Sequence, residues 1–256
     1  MKKLIITLFA FIIFAYTPSE ANRKITLNNN LSKGEVIKYR AHWGVLTIGS
    51  GKCIVDDKIF FVNSHPCYKI TVTGQTNGVA SIFSVKDQWN SYIDTATFAC
   101  IKATRSIREG NYKLDEIVYF DQKNNIAQVS RLDKKTQQFT KPKSYKTVEQ
   151  VRDIVAGFMY IRLIDFSKLK TGDKFTVSGF IEDQTYNLEV VYQGREQIKV
   201  HNAMTWCHVI RPIMPENGLF DGKNSISVWI SDDENQIPVK VKAKMFVGSF
   251  VIDLDK

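Results

Sequence analysis

HWGVLTIGSGKCIVDD, residues His42 to Asp57, decides between two fold classes. Its GSGK suggests a phosphate-binding loop, which would make the chain an α/β nucleotide binder. That loop follows G-x-x-x-x-G-K-[ST], because backbone amides wrap the phosphates while a hydroxyl meets magnesium. Aligned on Gly51 and Lys52, the first glycine position holds Leu46 and the hydroxyl position holds Cys53. The motif must also open a helix whose amino end faces the anion. Ile54, Val55, Asp56 and Asp57 come next instead, a β-prone run into acidic turn residues. The stretch therefore reads as a strand pair. Gly44, Gly49 and Gly51 let it bend through bulges or close backbone approach.

The same β signal extends in both directions. Tyr186, Leu188, Val190 and Tyr192 alternate with Asn187, Glu189 and Gln193, and Val239, Val241, Ala243 and Met245 alternate with Lys240, Lys242 and Lys244. This period of two marks half-buried antiparallel strands. Similar runs occupy 35–43, 45–56, 66–76, 81–92, 97–107, 112–121, 125–131, 173–182, 204–211, 225–231 and 247–254, separated by turn residues such as Glu109-Gly110-Asn111 and Thr171-Gly172-Asp173. The lysine-rich 132–146 reads as an exposed loop. One segment breaks the rhythm: over 147–166, Val151, Ile154, Val155 and Phe158 fall at helical spacing, with Thr147 and Gln150 as a capping box. Both faces are apolar beyond Gly157, so its second half is expected to be buried or kinked there. The expected fold is mainly β: a large curved antiparallel sheet forming a barrel or half-barrel, with one central helix packed in or across it. A sheet of so many strands must curl to limit its raw edges.

Residues 1–21 carry an export signal: Lys2 and Lys3, an apolar run from Leu4 to Tyr16, and a small-x-small site at Ser19-Glu20-Ala21. The run falls short of the ~20 residues of a membrane span, and no later segment approaches that length. The remainder, 22–256, is expected to be one β domain in the periplasm, or associated with the outer membrane, of a Gram-negative bacterium. The chain carries a net charge of +9, and removing residues 1–21 takes away two lysines and one glutamate, leaving +8. Its lysines are dispersed, without the basic blocks and aromatic platforms of a nucleic-acid binder. An anionic lipid, glycan or protein of the envelope suits that charge better. Cys53, Cys67, Cys100 and Cys207 could form disulfides in such a compartment or serve as small buried hydrophobes, and the pairing is left open.

Reactive constellations are sparse. Cys207 and His208 are neighbours on a strand and so face opposite ways. His65 and Cys67 share a face but lack two further metal ligands. Asp232-Asp233-Glu234, between two strong strands, reads as a solvated hairpin turn. No serine has the context of a nucleophile elbow. No cofactor and no metal are expected. Trp229 shares a face with Ser225, Ser227 and Ser231, opposite Ile226, Val228 and Ile230, while Tyr160 and Arg162 end the helix. Together Tyr160, Arg162 and Trp229 are the expected contacts of a ligand at the edge of an apolar cavity.

SISVWISDDENQIPVKVKAKMFVGSFVIDL resembles the closing signature of an exported bacterial family, family 3108 of the domains of unknown function, at Trp229, Asp232, Asp233, Pro238 and Gly248. GEVIKYRAHWGVLTIGSGK is similar to its opening strand pair. VRDIVAGFMYIRLIDFSKLKTGD is similar to its central helix, with Asp153, Tyr160, Arg162 and Gly172 in matching places. The resemblance implies an envelope β protein akin in architecture to half-barrel carriers that sort lipoproteins. It carries over no reaction, ligand or catalytic residue. The leading expectation is a non-enzymatic protein that binds a lipid or other amphipathic envelope component. The alternative is an assembly or interaction factor docking an anionic partner on Lys240, Lys242 and Lys244. An envelope hydrolase with two converging carboxylates comes third.

Overall fold

The computed structural model describes residues 31–77, 84–213, 225–245 and 248–255; the export signal expected over 1–21 and part of the strand expected over 81–92 lie outside them. Fourteen strands form one antiparallel sheet. The first eight are β1 (Val36–Trp43), β2 (Leu46–Val62), β3 (His65–Thr76), β4 (Lys86–Asp94), β5 (Cys100–Glu109), β6 (Tyr112–Asp121), β7 (Ile126–Arg131) and β8 (Lys143–Lys146). After a helix α1 (Ile154–Arg162) come β9 (Lys174–Ile181), β10 (Gln184–Val200), β11 (Ala203–Pro212), β12 (Ile226–Ser231), β13 (Pro238–Lys244) and β14 (Ser249–Leu254). The spatial order is β8-β7-β6-β5-β4-β3-β2-β1-β14-β13-β12-β11-β10-β9. Two meanders thus meet at the β1–β14 pair in mid-sheet, and α1 crosses from one sheet edge to the other.

The glycines of the opening stretch bend the wall as their spacing suggests. The β1–β2 register shifts between Ala41 and His42. A Cβ on Gly49 would lie 2.6 Å from the Gln75 carbonyl oxygen, and one on Gly51 would lie 3.0 Å from that of Thr73. No helix starts after Lys52: the strand continues to Val62.

The helix is shorter than the sequence suggests. It starts at Ile154, with the Asp153 carboxylate accepting from the Ala156 N–H at 3.0 Å, so the Thr147–Gln150 capping box is not formed. Residues ahead of it are claimed by sheet edges instead. Gln150 sits at φ +52°, outside the right-handed helix. Arg152 makes a parallel bridge to Gly179, donating to the Ser178 carbonyl and accepting from the Phe180 N–H. The helix runs unbroken through Gly157, where an added Cβ would make only an ordinary 3.6 Å contact with Val177. Beyond Leu163 a single 3-10 turn, Phe166–Lys168, replaces the expected final helical turn. The loop over 132–146 is exposed except that its end supplies β8, a short lysine-flanked edge strand of the kind that resists further pairing.

Side chains draw the free edges together. Asp183, in the β9–β10 turn, accepts from Arg131 (2.5 and 3.0 Å) and from the Tyr145 hydroxyl (2.9 Å), and the Thr185 hydroxyl donates to the Lys146 carbonyl. Inside, Val155, Ala156 and Met159 bury against Ile70, Ile93, Val118 and Phe120 on the first meander, while Phe158 also reaches the core of Phe166, Val190, Ile210 and Ile230 on the second. Burying this apolar face is the main drive for the helix to occupy the interior.

Candidate functional site

The three residues expected to line a cavity do not converge. Arg162 is fully buried and its guanidinium makes a two-pronged ion pair with Glu35, at 2.6 and 2.8 Å, plus a bond to the Asn235 carbonyl at 3.0 Å. It ties the helix end to the segment before β1 and to the β12–β13 turn. Tyr160 is covered by Arg152, whose guanidinium carbon lies 3.8 Å from the ring centroid. Arg152 is itself buried, and no carboxylate of the described residues pairs with it, so the ring face takes the place of a counter-ion; burial pulls its guanidinium down to about 10. Trp229 does oppose Ile226, Val228 and Ile230, but it faces the outer side of the sheet, where its indole N–H donates to Glu196 across the β10–β11 hairpin. Beneath the helix, Trp89, Val118, Phe120, Ile154 and Phe180, with Arg105, Glu116 and Asp153 on its polar side, line a half-open recess of about 40 Å³. That is room for a few waters and not for an acyl chain.

Among the described residues, two constellations of catalytic residue types outside the helix cap bear on function. The Tyr192 hydroxyl meets His208 Nδ1 at 2.9 Å, His208 Nε2 meets Asp232 at 2.8 Å, and Asp232 also pairs with Arg195. Phe166 stacks on the imidazole at 4.7 Å, and Tyr192 is only 4% exposed. Burial lowers the His208 pKa despite Asp232. The relay anchors the acidic turn to the interior and leaves its tyrosine no open face. Within that turn Asp233 caps the backbone N–H groups of Asn235 and Gln236, while Asp232 is tied to β10 and β11 through Arg195 and His208.

The second is a carboxyl pair, Asp87 and Glu109, on neighbouring inner-face positions of β4 and β5. Burial and the Asp87 carboxyl raise Glu109 from 4.5 to about 8, and Asp87 is also raised by burial while accepting from the Arg108 N–H at 2.8 Å. Because the folded state holds this proton more tightly than the unfolded chain, the contribution is full below about 4.5 and is lost as pH rises through about 8. Wild-type stability is therefore expected to fall relative to Glu109→Gln across that window; urea titrations at pH 4, 6 and 8 measure it, and parallel curves for the two proteins would refute the shared proton.

The outer face carries a different arrangement. Strand pairing sets Lys38 beside Lys52, Lys52 beside Thr73, Thr73 beside Gln88 and Gln88 beside Ser106; in the next row Ser50 faces Gln75 and Gln75 faces Lys86. These side chains line a groove of about 730 Å³ together with Asp87, with Arg108 at one end and Asp255 at the other. Arg108 is satisfied by two 2.8 Å bonds to Asp115, and Asp255 pairs with Arg40. Lys38, Lys52 and Lys86 are exposed and pair with no carboxylate of the described residues.

The family described as Protein of unknown function (DUF3108) matches residues 38–255. The chain belongs to DUF3108. Among solved structures, this DUF3108 protein is similar to a β-barrel-like protein of DUF1849 from Brucella abortus, with TM-score 0.51 and 8% identity over 86% of this chain and 95% of that one. A DUF1089 family protein from Pseudomonas aeruginosa aligns at TM-score 0.41 and 7% identity, over 77% and 90% of the two chains. At 8% identity the likeness to the DUF1849 protein is one of fold alone. A comparison with curated proteins finds no match.

Other residues singled out in the DUF3108 sequence fall into structural places. All four cysteines are free and buried; Cys53 faces Val72 and Cys67 faces Phe60 across the β2–β3 pair, so those two do not oppose each other. Burial pushes the Cys53 thiol up to about 12 and those of Cys67 and Cys207 up to about 11, far from the thiolate that reaction requires. His65 bonds to Asp94 at 3.2 Å, and the described residues contain no cluster of three or more potential metal ligands. Of the lysine stripe, Lys240 lies 3.7 Å from Asp253 and borders the β10–β11 hairpin tip, which folds over this face with His201 bonded to the Leu254 carbonyl at 3.0 Å. Lys240, Lys242 and Lys244 lie on the same outer face of the sheet as Lys38, Lys52 and Lys86, on strands nearer the β10–β11 hairpin. No signal short of the strand register joins Lys38, Lys52 and Lys86.

Proposed function

We propose that this protein is a non-enzymatic, exported component of the cell envelope that docks an anionic partner in the groove on the outer face of its sheet. The observation carrying this reading is the convergence of Lys38, Lys52 and Lys86 from three strands into one recess, where none of them forms an ion pair with a described residue although Asp87 and Asp255 also line it. Like charges held together cost stability unless a partner of opposite sign offsets them. The basic balance and the export signal of the sequence agree with such a role, and the envelope is where it would be exercised. A lipid carrier gains less support, because the interior is packed around α1 and the half-open recess beneath it holds about 40 Å³.

Retention on immobilised dextran sulfate at physiological salt tests the reading. The triple variant Lys38→Glu/Lys52→Glu/Lys86→Glu is expected to elute with the unbound fraction. A control with the same charge change on the exposed loop, Lys134→Glu/Lys135→Glu/Lys141→Glu, is expected to stay bound. Equal loss in both variants would show that net charge alone is responsible and would remove the groove from the account.

A further inference from the structure

The geometry points to an anionic polysaccharide strand as the occupant of this groove, an inference that rests on the docking reading and narrows it. Three features of the recess select that chemistry. First, the cations are spread out. Lys38 and Lys52 are direct cross-strand partners, whereas Lys86 is two strands and two residues from Lys52, about 12 Å away by sheet spacing. The ligand must therefore carry separated charges rather than one multivalent head.

Second, the space between the cations is filled with small neutral hydrogen-bonding groups. Thr73 and Gln75 make no side-chain bond to a described residue, Ser50 accepts from Asn77 and keeps its own proton to donate, and Gln88 only grazes Asn90 at 3.4 Å. A hydroxyl-rich chain can satisfy such a row; an apolar one cannot. Among the lining residues the one ring is Tyr39, which packs against the core from the opposite face.

Third, the competing macromolecules fit less well. The recess lies on a sheet face whose backbone groups are consumed by pairing between β1, β2, β3, β4 and β5. An acidic peptide could not be read there by main-chain pairing, and it would find no apolar pocket for alternate side chains. A bilayer presents a plane of headgroups, whereas a groove admits a strand.

The test uses polygalacturonate as the anionic polysaccharide, with dextran, poly-L-glutamate and phosphatidylglycerol vesicles as comparison probes, all titrated against the full mature chain. Polygalacturonate is expected to bind at least about tenfold more tightly than poly-L-glutamate, since its hydroxyls add hydrogen bonds to the shared charge. The charge-preserving variant Thr73→Val/Gln75→Ala/Gln88→Ala should weaken polygalacturonate by about tenfold and leave poly-L-glutamate unchanged. Dextran should not bind. If poly-L-glutamate or the vesicles bind as well as polygalacturonate and the neutral variant changes nothing, the polysaccharide assignment is overturned while docking of an anion stands. If no anionic probe distinguishes wild type from Lys38→Glu/Lys52→Glu/Lys86→Glu, both fall. Equal binding of dextran would overturn the charge requirement.

Discussion

Glu35→Ala is expected to destabilise the fold by about 3–5 kcal/mol, lowering the melting temperature by about 6–20 °C for a chain of this size. The carboxylate is the two-pronged partner of Arg162, a side chain with no solvent exposure at the end of α1. Removing it leaves a guanidinium inside the protein without its carboxylate, and that desolvation penalty exceeds the value of the pair itself. The double replacement Glu35→Leu/Arg162→Met removes both charges. It is expected to recover most of the loss, because apolar side chains of similar volume often match or exceed a buried ion pair. Urea melts of wild type, single and double variants give the cycle. A single variant within 1 kcal/mol of wild type would mean that the helix end is held by packing alone.

Gly49→Val is the second large effect, with an expected loss of about 2–3 kcal/mol or more from overpacking. The Cβ would meet the Gln75 carbonyl oxygen at 2.6 Å, a backbone atom fixed in the β2–β3 ladder, so β3 must move or β2 must straighten. Gly44 makes the contrast. It occupies the β1–β2 turn at φ +58° with open space around it, and Gly44→Ala carries only the left-handed backbone strain of about 1 kcal/mol. Lys52→Ala should leave stability within about 0.5 kcal/mol. The order Gly49, Gly44, Lys52 in thermal melts is that of a bent wall; a nucleotide loop would make Lys52 the residue on which binding depends.

The strands were legible wherever one face meets the core. Val239, Val241 and Ala243 bury while Lys240, Lys242 and Lys244 do not, and that alternation is local information. The helix limits were not legible. Residues 147–152 have helical spacing, but β9 offers a free edge and Arg152 pairs with it, so a tertiary contact overrides the local pattern. Trp229 shows the same division. Its face could be read from its neighbours, whereas the hairpin that covers it with Glu196 could not. The pair Glu35–Arg162 spans 127 positions in sequence, and the groove lysines lie on β1, β2 and β4. Side-chain spacing within one strand carries no trace of which strand will lie beside it.

Lysine acetylation footprinting of residues 22–256 with and without bound polygalacturonate tests docking in the groove. Lys38, Lys52 and Lys86 are expected to become protected together, while Lys134 and Lys135 on the exposed loop react at unchanged rates. Protection confined to other lysines, or none at Lys38, Lys52 and Lys86 under conditions where the polymer is bound, would contradict it.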